Sequence, residues 1–202
     1  MADFKTLREL ADECMRATDF QTANGHYHAA WDDYASQRRN ASDAGNVQQF
    51  DEAFTARDAF WLLMSGANAQ FCGGDFEGCL DSAVTAFELF KELGFVAGNP
   101  LFHLRVGQSS FELDPPGDRD EQGMTIDNLA RALICGGPEI FAGEDPRYLE
   151  LVLPILRPPQ GFSTWHEATG EGCSMHILDG STGFLAELFE EKYQSPPPYA
   201  EP

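Results

Sequence analysis

The side chains able to do chemistry are easily found in this sequence, and none stands in a spacing that chemistry requires. His26 and His28 are two residues apart, and on a helix that sets their rings about 200° apart. Helical zinc sites place two histidines four apart, and neither a CxxC nor an HExxH motif occurs. Cys72 and Cys79 straddle a Gly73-Gly74 turn, which gives a reason for them to be close in space but equally a reason for them to pack. Asp114, Asp118, Asp120 and Glu121 crowd one loop, without the D-x-D-x-D-G spacing of a calcium loop. Gly170, Gly172 and Gly180 belong to no phosphate-binding pattern, and Ser163, Ser174 and Ser181 lack a nucleophile-elbow context. One gathering is left, Trp165, His166, Cys173 and His176 within Gly161–Gly180, as the place for an enzyme site of another kind. The residues point to a protein that is not an enzyme, with no metal and no cofactor.

The totals set the frame. The chain has 202 residues, is 43% hydrophobic and contains sixteen phenylalanines. A chain of this length buries roughly 70% of its unfolded surface and needs neither metal nor disulfide to hold a core. Against 33 Asp and Glu stand 13 Lys and Arg, a formal charge of −20. Nucleic-acid binding depends on Lys and Arg neutralising phosphates, so no nucleic-acid partner is expected. Anionic membrane surfaces are disfavoured for the same reason, and no apolar run approaches the length of a spanning helix. A basic protein partner is favoured, because such a field accelerates encounter with opposite charge. The five cysteines are odd in number and scattered, and MADFKTLREL lacks the pattern of a signal peptide. A cytoplasmic protein with free thiols is the expectation.

The elements that must position these residues are helices. Asp3 caps a first helix with Leu7, Leu10, Ala11 and Cys14 on one face. A second runs from Phe20 or Ala23 to Arg38 with Tyr27, Ala30, Trp31 and Tyr34 in register, and Asn40–Asn46 is turn chemistry. From Val47 to Cys72 the pattern is one long helix, or two broken near Thr55, with Phe50, Phe54 and Trp61 on its buried side. Gly73-Gly74 ends it. Asp75 opens the next, Phe76 to Leu93. Pro100 starts a helix to Leu113 from its first turn, the acidic stretch Asp114–Gly123 is a loop, and Met124–Cys135 is helical again. In this pair Gly107, Ser110, Ala130 and Ala132 are the small residues that let two helices approach. A short turn follows at Pro138–Ala142, then a helix from Pro146 to Pro154 or Pro158. Beyond Arg157 the pattern loosens, with a short strand at Ser174–Leu178, a last helix at Gly183–Tyr193 and a disordered Pro-rich end. The fold class is therefore all-α, built of antiparallel helix pairs. Its division is a helical-repeat-like domain over 1–157, a C-terminal extension over 158–194 packed on it, and a tail over 195–202.

Tandem helix pairs with small residues at close contacts and a Gly-Asp-Phe turn resemble tetratricopeptide repeats. The resemblance covers Asp58–Ile134. Gly66 and Gly107 match the small residue of the first helix, and Ala86 and Ala132 that of the second. The turn after Phe71 is one residue too long for the family and Asp114–Gly123 is an insertion, so the repeat is degenerate. A second resemblance covers Gly98–Phe162, through NPLFHLRVGQSSFEL, DNLARALICGGPEIFAGEDPRYLEL and LRPPQGF. This stretch is similar to a bacterial family of repeat-like proteins encoded beside polymorphic toxins or type VI secretion components. That resemblance implies an immunity protein that binds and silences a cognate toxin or effector by stoichiometric contact. The alternative it leaves is an adaptor or chaperone for a secreted effector. Helix-repeat scaffolds bind partners on a concave face of inner helices, which here would carry Asp32, Asp33, Gln70, Gln108 and Glu112. Asp118, Asp120 and Glu121 of the acidic loop and the outward Glu150 complete the expected partner-binding set. When free, the protein is expected as a monomer or small homo-oligomer.

Overall fold

The computed structural model describes residues 3–93, 95–96, 98–114 and 123–153. Every regular element among them is a helix, and the chain separates into two compact units, 1–93 and 94–202. The domain expected over 1–157 thus contributes to both units, and the extension, strand, last helix and tail expected after it lie outside the described residues.

In the first unit, α1 (Phe4–Arg16) packs on α2 (Phe20–Asp43), and α4 (Ala56–Cys72) on α5 (Phe76–Phe90), with α2 against α4 joining the pairs. Asp3 caps α1 as expected, accepting from the Thr6 N–H at 2.9 Å. The buried side of α1 is rotated toward its start, however. Phe4 and Ala11 are buried, while Leu10 is 38% exposed. The cause is aromatic, since the Phe4 ring lies 4.7 Å from Phe54 and 5.8 Å from Tyr34 between centroids. Helix α2 runs on to Asp43, past the expected turn residues Asn40–Asp43. Polar residues alone do not stop a helix. The first residue of this stretch with a positive φ is Gly45, at 75°.

Between α3 (Val47–Ala53) and α4 the helix breaks, which decides between the two expected forms. Phe54 is extended, and Thr55 forms a reciprocal capping box with Asp58. The extended residue carries the Phe54 ring into the aromatic cluster. Phe60 is fully buried, whereas the expected Trp61 is only half-buried. Gly74 takes the left-handed turn at φ 81°, and Asp75 caps α5 through the Gly78 N–H at 3.0 Å. Helix α5 stops at Phe90, one turn before the expected Leu93.

The second unit centres on α6 (Pro100–Leu113) against α7 (Gly123–Gly136). A 3-10 turn (Pro138–Phe141) and α8 (Pro146–Val152) pack beside them. Asn99 caps α6 at 2.9 Å from the Phe102 N–H, with Pro100 in the first turn. The close approach expected at Gly107 is present. A Cβ there would lie 2.8 Å from Leu129 Cγ and 2.9 Å from the Leu129 backbone nitrogen. A helix backbone cannot withdraw as a side-chain tip can. Overpacking in such a contact costs about 1–3 kcal/mol, against roughly 1 kcal/mol of helix propensity gained from alanine. Gly107→Ala is therefore expected to lower the urea unfolding midpoint. Gly25→Ala, with nothing within 4 Å of its new methyl, is expected to raise it.

Candidate functional site

The densest polar constellation lies on α6. At one-turn spacing Arg105, Gln108 and Glu112 share a helix face, and Arg105 and Gln108 are buried. Arg105 Nη1 donates to Gln108 Oε1 at 2.6 Å, and Gln108 Nε2 donates to Glu144 Oε2 at 2.9 Å. Arg105 Nη2 meets the other Glu144 oxygen at 3.0 Å, closing the ring. One turn further, Glu112 accepts the Tyr148 hydroxyl at 2.5 Å and pairs with Arg147. Arg147 also reaches Asp145 at 3.1 Å, and its guanidinium lies 4.9 Å from the Phe111 ring centroid. Burial, followed by the hydrogen bond to Glu112, pushes the Tyr148 phenol up to about 12. On α7, Asn128 donates to the Met124 carbonyl, which turns its Oδ1 toward His103 Nδ1 at 2.9 Å. An oxygen there requires the proton on Nδ1. Asp127 holds Arg131 at 2.9 Å.

This network is one of mutual satisfaction. Its carboxylates and guanidiniums neutralise each other, and its geometry ties residues 144–148 to α6. Among the described residues no group of three or more His, Cys, Asp or Glu could hold a metal ion. His26 is half-buried and His28 exposed, with His28 Nε2 3.4 Å from Gln70 Nε2. Cys72 is exposed and Cys79 buried. The Gly161–Gly180 gathering lies outside the described residues.

The expected partner-binding residues divide by environment. Asp32 on α2 and Glu150 on α8 are exposed. Asp33, next to Asp32 in sequence, turns inward. It accepts from the Phe4 N–H at 2.8 Å, satisfying a free donor at the start of α1, and from Gln37 at 2.7 Å. Gln70 is 6% exposed, with its Oε1 lacking a hydrogen-bond partner. Gln108 and Glu112 are brought together by α6, in the network just described. Asp118, Asp120 and Glu121 lie outside the described residues. Arg105, Glu144 and Arg147 were not singled out from sequence. The available signal was Arg105, one turn before Gln108 in a chain poor in cations.

The first unit also carries a groove of about 700 Å³ between α2 and the end of α5. Trp31 and Tyr34 form one wall, with Leu89 and Phe90 on the other. Arg38, on its rim, is held by Asp51 through two bonds of 2.8 Å. In the same unit Tyr27 donates to Asp12 at 2.5 Å.

No family model matches this chain, and no curated protein or solved structure is significantly similar to it.

Two outcomes are expected. Asp33→Ala removes a helix-start hydrogen bond and is expected to destabilise by about 1 kcal/mol. Asp32→Ala is expected to stay within about 0.5 kcal/mol of the parent, and chemical denaturation compares the two. The fold favours the neutral Tyr148 phenol, whose ordinary value is 10.0. Its contribution is complete below that pH and is lost as pH rises toward about 12. Melting temperature measured from pH 9 to 12 is expected to fall less steeply for Tyr148→Phe than for the parent.

Proposed function

We propose that this protein is an immunity protein. It binds a basic bacterial toxin or effector and neutralises it by stoichiometric contact through acidic surfaces. The observation that carries the reading is the destination of its charges. Against 33 acidic residues the chain has 13 Lys and Arg. Arg38, Lys91, Arg105, Arg131 and Arg147 each close on a carboxylate of the same chain. Outside these five pairs, 8 Lys and Arg (13 − 5) stand against 28 Asp and Glu (33 − 5), among them the outward-facing Asp32 and Glu150. Such a surface attracts a basic protein and raises its rate of association. The helix-pair scaffold supports the reading, because paired helices offer rigid faces for a partner. The resemblance over Gly98–Phe162 supports the toxin as that partner. The EDPRYLE segment of that resemblance is the one whose Glu144, Asp145, Arg147 and Tyr148 are locked to α6 or to one another.

Co-expression with the toxic product of the adjoining gene tests the proposal. Protection of the cell and a purified complex of fixed stoichiometry are expected. Affinity should fall as salt rises, and the double reversal Asp32→Lys with Glu150→Lys should lower the association rate. Absence of both protection and binding would overturn the reading. If deletion of the gene stops export of the effector without harming the producing cell, the adaptor or chaperone role replaces immunity.

A further inference from the structure

We draw no further inference here: the strongest candidate, the outward face of α5 on which Glu77, Asp81, Glu88 and Glu92 lie near the exposed Val84 and Leu89, is an acidic cluster beside two exposed apolar side chains, and nothing in the structure shows what covers it.

Discussion

A guanidinium taken out of water must be met by a carboxylate, and the second unit is arranged to meet that condition. Arg105 has a side chain only 7% exposed, and Glu144, 39 positions later in the chain, closes on it at 3.0 Å. An uncompensated buried charge is among the more destabilising defects a fold can contain. The segment from Gly143 to Tyr148 is therefore held against α6 by electrostatics as well as by packing. Gln108 bridges the pair, with each end of its amide used. Glu112 and Tyr148 repeat the arrangement one turn later. The short helix α8 contributes little intrinsic stability at seven residues, and its position follows from these contacts and from burial of Tyr148 and Val152.

The first unit is held by a different kind of constraint. Phe4, Tyr34, Phe50 and Phe54 come from α1, α2, α3 and the residue after it, and their rings are in mutual contact. Aromatic pairs of this geometry add to the area they bury. Bringing Phe54 into the cluster requires the extended residue between α3 and α4, and the Thr55–Asp58 capping box makes the restart of the helix favourable. Asp33 adds a polar tie from α2 to the first N–H of α1. One acidic residue of the Asp32-Asp33 pair is thus part of the fold and the other part of the surface.

Much of the fold was legible in the chain. Asp3 and Asp75 cap where their positions before apolar periodic runs place them, Pro100 opens α6 from its first turn, and Gly73-Gly74 closes α4. These features depend on residues within a few positions of one another. Two departures have separate causes. The polar run Asn40–Asp43 was read as turn although it contains no residue that breaks a helix. Leu10 was assigned to the buried face of α1 because its spacing suits that face, whereas the aromatic contacts of Phe4 set the rotation.

By itself the sequence determined the all-helical class, the caps, the close approach at Gly107 and the excess of acid over base. Each follows from local periodicity, from the chemistry of single residues or from simple counting. Only the tertiary structure decided which polar residues face outward and which are bonded within. Asp32 and Asp33 are adjacent but differ, and Gln108 and Glu112 form bonds 36 positions away. The α2–α5 groove, with Trp31 and Tyr34 facing Leu89 and Phe90, was invisible for the same reason. Burial and ion pairing are distances in space, and a helical period records only distances along one helix.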